Sequence, residues 1–403
     1  MNRNKDKIHF RIASIISLSL ILIISLIFAC ASFALNQINN NAPSDSLSEN
    51  SNLESTGVSA ISSEASENAD NVTEIINEET SVDSEVSLPE IQEPKHCFIQ
   101  NKYGYTFIYG DSGFEQFNYG SSTLNTYINS LNAFSEHFSK ETPIYNITVP
   151  VSTTFVDIPS DIKNEHDFHN KSQSTFVELV GEGIKDNITN LSIVDEIQER
   201  YNNGEYLFYR TDRNWTPSAS YTAYSSFCEA AGLNQYAISI FPEKEHGDYL
   251  GWFHFATQDK DMASNPDKLI YYSPIPSVKT VLTVYDGGMK LNNYKLCQNS
   301  VDIEDAYDIF VGTTAGRYEI VSTTMGGNLL IVGDSSVFPM LPFLVSHYGK
   351  IDVINPVYFN TPLSEYLENR HYDQVITMCY TTNATAGDFM PSFSKFIEEN
   401  INE

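Results

Sequence analysis

Asn328-Leu-Leu-Ile-Val-Gly-Asp-Ser-Ser336 is the stretch that sets the architecture. The apolar run Leu329 to Val332 is short and ends in turn residues, which reads as a buried strand. The pattern from Val337 to Tyr348 reads as a helix stopped by Gly349. Ile351 to Ile354 reads as the next strand, Gln374 to Cys379 as another, and Ser392 to Glu399 as a last helix. Strand, helix and strand joined by short connections imply a parallel sheet covered by helices. Ligands of such sheets bind at the carboxyl ends of the strands. Gly333-Asp334-Ser335 lies at one such end. Glycine permits a tight turn there, and a helix N-terminus supplies free N–H groups and positive potential for an oxyanion. Ser335 is therefore the candidate nucleophile, with Gly333, Asp334 and Ser336 as candidate oxyanion or binding residues. Asn383 follows the Gln374 strand at the same end and joins that set.

Three residues are a weak signal, and the chain holds a second copy in Gly110-Asp-Ser-Gly113. That copy leads into Phe-Glu-Gln-Phe-Asn-Tyr rather than an apolar helix, so it reads as a turn between strands. Further elements are legible upstream. Phe98 to Tyr109 reads as a hairpin, Leu124 to Phe138 as a helix with apolar residues three and four apart, and Ile144 to Val149 as a buried strand. Ser174 to Ile184 reads as a helix and Leu191 to Val194 as a strand. Thr216-Pro217 opens a helix with threonine as cap and proline in the first turn, and Gly232 closes it.

The N-terminal part is built differently. Ile12 to Leu35 is 24 residues without a charge, about 36 Å as a helix and enough to cross a bilayer core of roughly 30 Å. Arg3, Lys5, Lys7 and Arg11 precede it, so residues 1–11 are expected in the cytoplasm and the remainder outside. A cleaved signal peptide ending near Ala31 or Ala34, or a lipoprotein modified at Cys30, are the alternatives. Asn36 to Pro94 holds 13 acidic residues, no Lys or Arg, and no aromatic. Such a segment cannot bury enough apolar surface to offset the entropy of ordering, and its carboxylates repel one another. It reads as a disordered acidic spacer.

The chain has 403 residues and a net charge of −29. Removing the +3 of residues 1–35 and the −13 of the spacer leaves −19 on Lys95 to Glu403. This argues against a nucleic-acid partner, which calls for clustered Lys and Arg. Aromatics make up 12% of the chain, so the body from Lys95 onward is expected to fold. Cys97, Cys228, Cys297 and Cys379 are widely spaced with no C-x-x-C pair, so no local metal signature exists. They fit either two disulfides or four buried thiols. No cofactor or metal is expected from these motifs.

Tyr209-Arg-Thr-Asp-Arg-Asn-Trp-Thr-Pro217, followed by a Tyr- and Ala-rich helix, resembles the DHHW proteins, named for Asp-His-His-Trp. Val149-Pro150 to Ile158-Pro159 before it, and Asp248-Tyr-Leu-Gly251 and Gly333-Asp-Ser335 with Pro342-Phe-Leu344 and His347-Tyr348 after it, resemble further family segments in the family's order. These proteins are membrane-anchored or secreted bacterial proteins related to the alginate acetylation proteins. The resemblance implies an α/β fold for residues 95–403, an SGNH-hydrolase-like three-layer sandwich with a parallel sheet. It implies a bacterial cell membrane location with an extracytoplasmic body, cell-surface polysaccharide as partner, and a membrane acyl-donor protein. It also implies that Ser335 is the nucleophile and Asp212 the carboxylate that orients an imidazole at position 214. Position 214 is Asn214, and Arg213 replaces the other histidine of the name. A basic residue that the family carries near Val357 is missing. A carboxamide neither accepts nor returns a proton near neutral pH, so the resemblance implies a serine O-acyltransferase or esterase ancestry with a degenerate centre, or a non-catalytic glycan-binding protein. His246 and His254, flanking the Asp248 loop, are the substitutes for the missing base. Trp215 is a candidate for stacking on a sugar, although such aromatics are more often core.

Overall fold

The computed structural model describes residues 93–102, 104–291, 294–298, 301 and 306–398. The expected membrane segment and all but the last two residues of the expected spacer lie outside them.

The body opens with a three-stranded antiparallel sheet of β1 (His96–Asn101), β2 (Gly104–Tyr109) and β3 (Ser112–Phe114). The Gly110 copy of the Gly-Asp-Ser motif is the turn between β2 and β3, with Gly110 at φ 64°. Then come α1 (Ser121–Ser135), β4 (Ile144–Val149), α2 (Ser160–Glu165), α3 (Gln173–Gly183), β5 (Ile188–Leu191), α4 (Val194–Asn202) and α5 (Pro217–Ala230). The hairpin of β6 (Glu243–Tyr249) and β7 (Asp267–Tyr272) brackets α6 (Trp252–Thr257) and α7 (Lys260–Ser264). The rest is β8 (Thr280–Asp286), β9 (Met289–Leu291), β10 (Arg317–Ser322), β11 (Asn328–Gly333), α8 (Leu341–Leu344), β12 (Lys350–Ile354), α9 (Leu363–Leu367), β13 (Gln374–Tyr380), α10 (Thr381–Thr385) and α11 (Phe389–Ile397).

The central sheet has eight strands in the order β5-β4-β13-β11-β12-β10-β8-β9. The first five run parallel, and β10, β8 and β9 extend the sheet antiparallel beyond β12. Alternation along each strand divides the core between two faces. Leu329 and Ile331 of β11 join a core with Ala223, Tyr224 and Phe227 of α5. Leu330 and Val332 join one with Leu131 of α1, Phe176 of α3 and Phe393 of α11. The body is therefore a mixed α/β fold with helices on both faces of a largely parallel sheet.

Two sequence expectations are corrected. Leu191 to Val194 is not a strand: β5 ends at Leu191, and Val194 opens α4. The continuous helix from Val337 to Tyr348 is instead a 3₁₀ turn over Ser335–Met340 and the single α-turn of α8. Pro339 and Pro342 explain this, because proline has no N–H for an intrahelical bond and clashes with the preceding turn. Cys97, Cys228, Cys297 and Cys379 are free thiols, so no disulfide holds the body. Burial pushes Cys228 up to about 11 and Cys297 up to about 12, which keeps both protonated and inert.

Candidate active site

Asp212, Arg213 and Asn214 form the tip of a loop pinched at its base by an antiparallel bridge between Phe208 and Trp215. Thr216 caps α5 from the Ala219 N–H, with Pro217 at the first position, so the loop leads straight into a helix. A buried carboxylate that belongs to no motif holds the other side. Asp267 accepts from the Thr211 N–H (2.8 Å) and hydroxyl (2.7 Å), and pairs with Arg210 at 3.3 Å.

The Asp248-Tyr-Leu-Gly251 segment seats on this tip. Asp212 accepts from the Asn214 N–H at 2.6 Å through one oxygen and from the Trp252 N–H at 2.5 Å through the other. Gly251 is required by the close approach, because a Cβ there would overlap the Asp212 side chain. Arg213 lies over the Trp252 ring, 4.5 Å from its centroid, and pairs with Glu115 at 3.6 Å. Burial raises the Glu115 carboxyl above its ordinary range, with the Arg213 guanidinium opposing.

Opposite stands the end of β11. Gly333 fits because a Cβ would overlap the Met378 carbonyl of β13. Asp334 is buried and accepts from the Ser336 N–H (2.9 Å), the Tyr380 N–H (2.9 Å) and the Asn383 amide (2.6 Å). Ser335 is half-buried, and its hydroxyl donates to Asn214 Oδ1 at 3.1 Å. Residues 121 positions apart in the chain are thus brought into hydrogen-bond contact, and Asp212 stands behind Asn214 on the same loop.

Tyr380 was missed by the sequence reading, which ended its strand at Cys379. Its hydroxyl donates to the same Asn214 Oδ1 at 3.2 Å and accepts from the Trp215 N–H at 3.1 Å. Burial, then the Asp334 carboxylate, push this hydroxyl well above its ordinary value, so it stays protonated and serves only as a donor toward Asn214. The signal available was position: a tyrosine at the carboxyl end of the strand beside the serine strand.

Three candidates change role. Trp215 is fully buried and donates its Nε1–H to the Ser336 carbonyl at 3.1 Å, so its ring is core and not a sugar platform. Ser336 is fully buried with its N–H committed to Asp334, so it does not supply an oxyanion donor. Asn383 orients toward Asp334 and braces it. The histidines stand elsewhere. His246 Nε2 lies 2.8 Å from the Val301 carbonyl, and His347 Nε2 2.8 Å from the Tyr224 hydroxyl. His254 lies in the first turn of α6, its N–H bonded to the Thr211 carbonyl at 3.2 Å. The Ser335 hydroxyl is directed at Asn214 rather than at either proposed substitute.

The family model described as DHHW protein matches residues 45–354. The crystal structure of a DHHW family protein from Eubacterium siraeum superposes with a TM-score of 0.63 at 20% identity, covering 74% of this chain and 98% of that one. Bacillus cereus PatB1, solved with a sulfonyl adduct, superposes with a TM-score of 0.58 at 13% identity, covering 73% and 97%. No curated protein matches the chain. At these identities the two solved structures establish the shared fold.

Proposed function

The chain belongs to the DHHW protein family, and from that premise we propose an extracytoplasmic envelope protein of O-acyltransferase or esterase ancestry whose catalytic centre has lost its base. Its N-terminal segment anchors it in the bacterial membrane, and cell-surface polysaccharide is its partner. One observation carries the reading. The acceptor facing the Ser335 hydroxyl is the Asn214 amide oxygen, which already receives a second hydroxyl from Tyr380. In acyl transfer the serine oxygen attacks the acyl carbonyl, and its proton passes to a base that later returns it. An amide oxygen holds that proton in a hydrogen bond but does not remove it. Loss of a positioned base costs about 10²–10⁴-fold. Any transfer that survives draws its acyl group from a membrane donor protein.

A second reading, glycan binding without turnover, is favoured by a cavity on the same sheet edge. Val332 of β11 is in register with Ile354 of β12, Ile354 with Arg317 of β10, and Arg317 with Tyr285 of β8. At about 4.8 Å per strand these side chains stand roughly 10–15 Å from the serine strand. Of these, Arg317 and Tyr285 line a cavity of about 510 Å³ together with Tyr358, Tyr366 and Arg370. Arg317 lies 4.3 Å from the Tyr285 ring centroid and Arg370 4.2 Å from that of Tyr366. Tyr358 is exposed and suits a sugar face, and the Arg370 guanidinium held over Tyr366 suits a carboxylate, whereas Arg317 is paired with Asp352 and Glu319.

One experiment on the purified full chain in detergent addresses both. A fluorophosphonate probe is expected to label Ser335 feebly, while envelope polysaccharide is retained and Tyr358→Ala/Arg370→Ala reduces that retention. Stoichiometric labelling abolished by Ser335→Ala would overturn the loss of the base. Retention indifferent to the double substitution would remove the cavity from the binding role. The topology has its own test. Protease added to intact spheroplasts should digest the body and spare the anchor, whereas full protection would place the body inside.

A further inference from the structure

Away from the serine, His96 of β1 and His166, the residue that ends α2, bring two ring nitrogens together. His96 Nδ1 lies 2.8 Å from His166 Nε2. Glu165 Oε1 lies 3.7 Å from the same His166 nitrogen, and one ligand atom from each of the three falls within 4.8 Å of the others. We infer that His96, His166 and Glu165 form a transition-metal site suited to Zn²⁺, which clips the first strand of the body to α2.

The distances suit that ion. With Zn–N bonds of about 2.0–2.1 Å, two ligand atoms of a tetrahedral site stand about 3.4 Å apart. The Glu165 to His166 separation is already close to that, and the imidazoles need to part by about half an ångström. In the metal-free pair one ring donates its N–H to the other. Metal binding moves that proton to the donor ring's remote nitrogen, so both facing lone pairs reach the ion and no proton is lost. Two imidazole nitrogens and one carboxylate oxygen form a borderline donor set that favours Zn²⁺ over Ca²⁺ or Mg²⁺, which take oxygen shells. Water completes the fourth position.

The surroundings agree. His166 is 18% exposed, and the Phe107 ring stands 5.5 Å from it, so one wall is apolar. Lys95, beside His96, pairs with Asp259 and with Asp261, which draws its ammonium onto the α7 side. Asp167 adopts φ 52°, a left-handed turn that ends α2 and carries Phe168 onto the Phe107 ring, 4.3 Å between centroids. The clip thus closes over the small core of Phe107, Phe114, Ile158, Ile162 and Phe168. It ties down the point where the expected spacer joins the body.

Titration of ZnCl₂ into chelator-stripped full chain, followed by calorimetry, tests this. The expected result is one equivalent bound per chain at micromolar zinc, with a rise in Tm on binding. His166→Ala should weaken binding by at least about 10–100-fold, the loss already incurred when only outer-shell partners of a metal are removed. His96→Asn, which keeps a polar side chain of similar size, should do the same with an unchanged circular dichroism spectrum. His169→Ala, 59% exposed and outside the trio, should bind as wild type. Absence of binding, or an isotherm that His96→Asn leaves unchanged, would overturn the site and leave the pair as a plain hydrogen bond.

Discussion

Asn214→His is expected to raise hydrolysis of an activated acetyl ester by about 10²-fold or more, the lower end of what a positioned general base contributes. Position 214 is already where the base is needed, since its side-chain oxygen lies 3.1 Å from the Ser335 hydroxyl. An imidazole reaches further than a carboxamide, so its ring must turn to set one nitrogen on Ser335 and the other toward Asp212. Asp212 keeps lone pairs for that contact although both of its oxygens already serve backbone N–H groups. Tyr380 loses an acceptor and must reorient its hydroxyl. The new activity should rise with pH through about 6.5 or somewhat above, because the neutral imidazole is the base and the Asp212 carboxylate favours the protonated ring. It should vanish in Asn214→His/Ser335→Ala. No gain from a folded Asn214→His protein would mean that the cleft has drifted beyond one substitution, which favours glycan binding without turnover. Robust turnover in the unsubstituted chain would mean that the base has been relocated.

The serine end of this site was legible in the sequence because its signals are local. An apolar strand running into Gly-Asp-Ser fixes both the strand end and the turn, and Thr216-Pro217 marks the helix start that follows the Asp212 loop. The helix expected after Ser335 failed for an equally local reason, in that two prolines fall inside its apolar pattern. What could not be read was the pairing between distant segments. Glu115 meets Arg213, Asp267 holds Thr211 and His96 meets His166 across separations of 98, 56 and 70 residues. None belongs to a motif, and each contact depends on how β1 to β3 and the β6–β7 hairpin fold against the sheet. The antiparallel extension β10-β8-β9 was missed for the same reason, because its strands are widely spaced and only their pairing identifies them. Asp334 stood between these cases. The sequence marked it as a candidate in the oxyanion group, whereas the structure gives its carboxylate a bracing task.

Asp334→Ala is expected to destabilise the body by about 3–6 kcal/mol, far more than a surface substitution. Three donors end on this carboxylate: the Ser336 N–H of the serine turn, the Tyr380 N–H at the end of β13, and the Asn383 amide of α10. The Asp334 side chain is buried, and each buried donor left without an acceptor costs about 1–3 kcal/mol, the half-buried Asn383 amide least. Native domains hold only about 5–15 kcal/mol in all, so a fall in Tm of roughly 10 °C or more should appear by calorimetry. Asp334→Asn should fall between, because one oxygen still accepts while the new NH₂ confronts a donor. The same reasoning extends to chemistry. Asp334 joins the turn that carries Ser335 to the strand that carries Tyr380, and these two hydroxyls converge on Asn214. Asp334→Ala placed on the Asn214→His background should therefore abolish the gained esterase activity even at temperatures where the protein remains folded. Retention of that activity, or an unchanged Tm, would show that the serine turn keeps its shape without the carboxylate and that its three donors find water instead.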